Sequence, residues 1–99
     1  MIEGIAVKIA DKEYIIPPLN FAGTRKYIAA AKKLPGITDP EEQMSLMAEM
    51  VWLALRRNYP QMSIDDVEDI VDFTNVQTIM DAIVEASGLK KSMVTAETL

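Results

Sequence analysis

From Met44 to Leu55 this chain is apolar on nearly every side of the helix it would form. Met44, Leu46, Met47, Ala48, Met50, Val51, Trp52, Leu53, Ala54 and Leu55 are interrupted only by Ser45 and Glu49. A helix that is greasy all round must be covered on several sides. It therefore forms the centre of a helical domain, unless one of its faces is kept for an oligomer or a client. Its start is well marked: Asp39 stands at the cap and Pro40 at the first helical position, where a missing N–H costs nothing. Glu41 and Glu42 face the positive end of the helix dipole, and Glu42 is placed to complete a capping box. Arg56 and Arg57 suit the other end, and Tyr59-Pro60 breaks the helix.

Other elements are arranged around this segment. Ile5, Val7 and Ile9 alternate with Ala6 and Lys8, the period of a half-buried strand. Tyr14 to Ile16 is a second β-prone run, with Ala10-Asp11-Lys12 as the turn, and Pro17-Pro18 ends it because neither residue can donate to a ladder. A lone hairpin is marginal in water and must lie on the helices or pair with another chain. Asn20 caps a first helix running to about Leu34, with Phe21, Thr24, Ile28, Ala31 and Leu34 on its apolar side and Arg25, Lys26, Lys32 and Lys33 outside. Pro35-Gly36 stops it. Ser63, with Asp66 three residues on, caps a third helix whose Ile64, Val67, Ile70 and Val71 recur at helical spacing. Thr74 or Asn75 caps a fourth, lined by Val76, Ile79, Met80, Ile83 and Val84 and stopped at Gly88.

The fold class expected is mainly α, formally α+β. A short N-terminal β-hairpin is followed by about four helices packed around the central apolar one. Residues 1–89 form one such domain and residues 90–99 a frayed tail. Ninety-nine residues at 49% apolar content supply one core and little for a deep cleft.

Charge narrows the function. The net charge of −5 argues against binding a nucleic-acid backbone, which rewards clustered cations. Residues 1–36 hold six cations against three acids, whereas Asn58 to Gly88 holds seven carboxylates and no Lys or Arg. Faces of opposite sign favour head-to-tail self-association or steer a charged partner. The chain has no Cys and no His, so it lacks thiolate sites, the commonest general base and the commonest metal ligand. Asp65, Asp66, Asp69 and Asp72 lie on the outward stripe of the third helix, where water keeps carboxylates ordinary. A solvated face is the plainer reading than an acid–base pair. No twelve-residue calcium loop is present. The longest apolar run, Met50 to Leu55, is far too short for a bilayer span. A soluble, non-catalytic protein without cofactors, binding neither nucleic acid nor membrane, is what these residues imply.

Partner contacts are therefore the function to look for. Met44, Met47 and Met50 are flexible thioethers of the kind used by adaptable apolar grooves, although core filling is the commoner use. Trp52 is an anchor if half exposed. Arg56 and Arg57 can pair with client carboxylates or with the acidic helix of a neighbouring copy. Tyr59 and the acidic face of Asp65, Asp66 and Asp69 complete the candidate set.

Several of these residues also carry a resemblance. An apolar helix ends in Leu55, Arg56, Arg57 and Tyr59. A helix with Ser63, Asp65, Asp66 and Val67 follows, then a terminal helix with Ala82, Ile83 and Gly88. With the N-terminal run VKIADKEYIIPPLNF, this pattern resembles the small tail assembly chaperones of long, non-contractile-tailed bacteriophages. The resemblance implies a non-catalytic protein of the host bacterial cytoplasm. It would coat the tape measure protein, help recruit tail tube protein, and leave before the virion is complete. It also implies a weak homo-oligomer and a frameshifted longer form of the same product, with a slippery run expected at the codons of Lys90-Lys91. The alternative is an acidic adaptor or inhibitor whose carboxylates imitate nucleic acid and bind a basic protein.

Overall fold

A computed structural model describes residues 1–89. Two strands, β1 (Ile5–Ile9) and β2 (Lys12–Ile16), form an antiparallel hairpin. Four helices follow: α1 (Phe21–Lys33), α2 (Pro40–Leu55), α3 (Ile64–Ile70) and α4 (Val76–Ala86). The expected hairpin-plus-four-helix architecture is the one observed. The tail at residues 90–99 and its Lys90-Lys91 pair lie outside the described residues. Among those described, no helix is long and apolar enough to cross a membrane.

The hairpin turns through two residues rather than three. Ala10 and Asp11 both have positive φ, 51° and 68°, the backbone that matches strand twist in a two-residue connection. No glycine supplies it, so Ala10 carries the cost of a left-handed conformation. Ile5 lies opposite Ile16, and Val7 opposite Tyr14. Ile9, Tyr14 and Ile16 are buried on this face against α4 and α2.

Helix α2 is central: it packs against α1, α3, α4 and β2, and Ala48, Met50, Val51, Leu53, Ala54 and Leu55 are all buried. Its Asp39 cap accepts from the Glu41 N–H (3.1 Å). The expected Glu42 capping box is replaced by Gln43, whose Nε2 reaches back to the Ile37 carbonyl (2.7 Å).

Helix α1 turns a different face inward from the one expected. Gly23, Tyr27 and Ala30 are buried, Ile28 and Ala31 pack at the margin, and Phe21 is 87% exposed. Phe21 is the first helical residue and stands outside the core. Burial, and secondarily the charge of Asp81, hold the Tyr27 phenol protonated well above its ordinary range. The helix does not stop abruptly at Pro35 but tightens into a 3-10 turn over Leu34–Gly36.

The Ser63 cap expected at α3 is present and is a reciprocal box: Ser63 Oγ accepts from the Asp66 N–H (3.1 Å) and Asp66 Oδ2 from the Ser63 N–H (3.0 Å). At α4 Asn75 holds the N-cap position, one of the two expected, but its side chain makes no cap hydrogen bond to that helix. Asp72 does the work one turn earlier. At the far end Gly88 (φ +71°) lets the Leu89 N–H reach the Val84 carbonyl and its own N–H reach Glu85, a Schellman stop.

Candidate functional site

The two ends of α2 define the two notable surfaces of the molecule. At its C-terminal end, polar side chains close the hairpin. A two-residue turn makes Ile9 and Lys12 a hydrogen-bonded pair, so Ile15 points its N–H and C=O away from β1. Tyr59 Oη accepts from the Ile15 N–H (2.9 Å), and Asn58 Nδ2 donates to the Ile15 carbonyl (3.2 Å). Asn58 also holds Ile2 from both sides, through Oδ1 (2.7 Å) and Nδ2 (2.9 Å). The junction thus stands in for a third strand. Arg57 donates to the Pro18 carbonyl. Trp52 Nε1 donates to the Met62 carbonyl (2.9 Å), and the Arg56 guanidinium lies 4.6 Å from the Trp52 ring centroid. Tyr59 meets Tyr14 edge to face at 5.4 Å.

The N-terminal half of α2 is open. Between it and the α3–α4 junction lies a cleft of about 580 Å³, lined by Glu41, Met44, Ser45, Met47, Ala48, Glu68, Val71, Asp72, Phe73 and Val76. Its apolar members include Phe73, 64% exposed, and Met44, 43% exposed. Glu41, Glu68 and Asp72 are exposed carboxylates on this lining, which among the described residues contains no Lys or Arg.

The wall bearing Phe73 is held in place by its own backbone chemistry. Asp72 Oδ1 accepts from Thr74 Oγ1 (2.6 Å), Thr74 N–H (2.9 Å) and Asn75 N–H (2.9 Å). Asn75 Oδ1 accepts in return from the Asp72 N–H (2.9 Å), and its Nδ2 donates to the Ile70 carbonyl (3.0 Å). This is a capping box one turn before α4, and it leaves Phe73 at the first position after the cap, facing water and the cleft. The Thr74 hydroxyl, with the two backbone N–H groups, holds the Asp72 carboxyl below the usual carboxylate range. A cleft with an ordered wall loses less entropy when it is filled.

The residues singled out from sequence do not converge on one place. Met44 and Met47 line the cleft. Met50 is fully buried and belongs to the core, because one further turn carries it beneath the covering elements. Trp52 is half-buried, its N–H already used and one ring face against Arg56. Arg57 and Tyr59 serve as internal ties. Asp65 and Asp69 are exposed but do not line the cleft, and Asp66 is bonded in the α3 cap. Sequence reasoning missed Phe73, Val71 and Val76, and with them the acids Glu41, Glu68 and Asp72 as members of a rim. The available signal was Asp-Phe-Thr-Asn at 72–75, a cap spacing that forces its second residue outward. No family model, no curated protein and no solved structure matches the chain.

Proposed function

We propose that this chain is a non-catalytic assembly chaperone for a long bacteriophage tail, acting by holding an apolar-striped helix of the tape measure protein. The cleft beside Met44, Met47 and Phe73 carries the reading, and the sequence resemblance agrees with it. A helix-in-groove contact needs an apolar trough, and the thioethers on the α2 side of this one repack around the varied side chains of a long client. The three carboxylates of the rim select a helix whose flanks are cationic. Coating a long client requires many copies acting transiently, in the cytoplasm of the host, with the tail tube protein and a frameshifted longer form as further partners.

The test is titration of the full chain with a synthetic amphipathic helix bearing a leucine stripe flanked by lysines, followed by co-expression with the tape measure protein. Met44→Asp and Met47→Asp should weaken peptide binding by about tenfold or more, the size of a hot-spot loss, and should let the client precipitate. If binding survives both changes but disappears when Asp65, Asp66 and Asp69 are neutralised, the acidic-adaptor reading replaces this one.

A further inference from the structure

We infer that the outer edge of β1 is a second docking site, which takes an extended segment of a partner polypeptide as a third, antiparallel strand. The register fixes which backbone groups face that partner. Ile9 and Lys12 close the two-residue turn as a hydrogen-bonded pair, so Val7 with Tyr14 and Ile5 with Ile16 bond across the ladder as well. Ala6 and Lys8 therefore turn their N–H and C=O groups outward, and among the described residues no group bonds to them. Their counterpart on the other edge, Ile15, is met by Tyr59 and Asn58. The hairpin is thus closed along β2 and open along β1. The segment before β1 does not cover the gap, because Asn58 holds Ile2 on the β2 side. That crossing runs so close to β2 that a side chain at Gly4 would collide with the Ile16 carbonyl.

The donors and acceptors of an open edge repeat at strand spacing, so the occupant they fit is another strand, held by main-chain bonds. The side chains of β1 define the rest of that occupant. Ile5 and Val7 are half-buried against the core, and apolar residues placed opposite them would cover both further. Lys8 is exposed and faces Glu13 across the ladder, yet among the described residues it makes no ion pair. A lysine in the middle of an edge discourages indiscriminate pairing, and it favours a strand with an acid opposite it. β1 contains no acid, so a second copy pairing β1 against β1 cannot supply one. The occupant is a different polypeptide, extended, with apolar residues at every second position and a carboxylate between two of them. No hairpin residue lines the cleft beside α2, so the two sites are separate surfaces.

The probe is a capped five-residue peptide with valine at its first, third and fifth positions, glutamate at the second and threonine at the fourth. Paired antiparallel, it sets its glutamate opposite Lys8 and its threonine opposite Ala6. Titrated into the isotope-labelled full chain, it should shift the amide signals of Ala6 and Lys8 most and slow their hydrogen exchange. N-methylated peptides decide whether the main chain carries the contact. A methyl on the glutamate nitrogen blocks the side facing β1 and should lower affinity by about tenfold, the scale of a lost backbone bond. A methyl on the central valine nitrogen faces away and should change little. Ala6→Pro removes one outward N–H where an edge strand tolerates proline, so circular dichroism should be unchanged while binding falls by a similar factor. Lys8→Glu should reverse the preference, favouring a peptide with lysine in place of glutamate by about threefold. Met44→Asp should leave this binding intact, and its loss there would assign the peptide to the cleft and overturn the proposal. Equal binding of the two methylated peptides overturns it as well, as does the absence of any shift at Ala6 and Lys8 with millimolar peptide. Dimerisation through β1 that excludes the peptide would also sink it.

Discussion

The two ends of α2 are built from similar apolar residues, yet one is sealed and the other is left open. Around Trp52–Tyr59 the polar side chains are turned to internal contacts: Asn58 and Tyr59 on the hairpin edge, Arg57 on Pro18, Trp52 on Met62, and Arg56 over the Trp52 ring. Around Met44 and Met47 no element among the described residues closes over the helix, and the neighbouring junction sends Phe73 outward. The contrast separates two meanings of a conspicuous side chain. Arg57 and Tyr59 look like contact residues but hold the fold together, whereas Phe73 sits in an unremarkable junction and faces the solvent. Hydrogen bonding at the closed end turns its polar groups inward, and the open end keeps an apolar trough facing solvent.

The largest expected effect sets Met50 against Met44. Met50→Ala should destabilise the protein by about 3 kcal/mol, since a buried Met leaves a cavity that the core only partly refills. Met44→Ala should change stability by no more than about 0.5 kcal/mol, as exposed sites usually do. Urea denaturation of both variants checks the pair, and equal losses would show that the open end is not open.

Next in size is the closed end. Asn58→Ala removes three hydrogen bonds to Ile2 and Ile15. Such a loss from a half-buried junction should cost about 2 kcal/mol. Hydrogen exchange should show the amide of Ile2 losing protection before those of α4. Unchanged protection would mean that water replaces Asn58 without penalty and that the edge needs no closing.

The smallest effect concerns the wall of the cleft. Folding lowers the Asp72 pKa, so between the folded and unfolded values the unfolded chain binds more protons. The stabilisation is therefore present above the unfolded pKa and is lost as pH falls through the folded one. In denaturation curves measured along an acid series, the wild type should lose its advantage over Asp72→Asn as the carboxyl protonates. An advantage that stays constant into strong acid would remove Asp72 as the ionised cap. Peptide binding should weaken over the same acid range, because Asp72 both positions Phe73 and contributes a rim charge.

Much of this architecture was readable from local rules. Alternation announced the hairpin, Asp39-Pro40 the start of α2, Ser63 with Asp66 the start of α3, and Gly88 the end of α4, because each signal is satisfied within a few residues of itself. The face of α1 was not readable. Phe21, Thr24 and Ile28 have the right spacing for a buried stripe, but Tyr27 and Ala30 meet the core instead. The side chain that orders the turn before α4 was hidden for a related reason. Asp72 read as one more acid on the outward stripe of α3, and only after α3 ends at Ile70 does its carboxylate become free to cap.

The sequence by itself determined that helices dominate, that α2 lies at the centre, and that the negative charge collects after residue 58, since composition and periodicity act along the chain. Which side of α2 stays bare, which methionines are core, and where Phe73 points were decided only in three dimensions. Those outcomes depend on which elements, distant in sequence, arrive to cover a given side chain, and a pattern of residue types carries no record of that arrival.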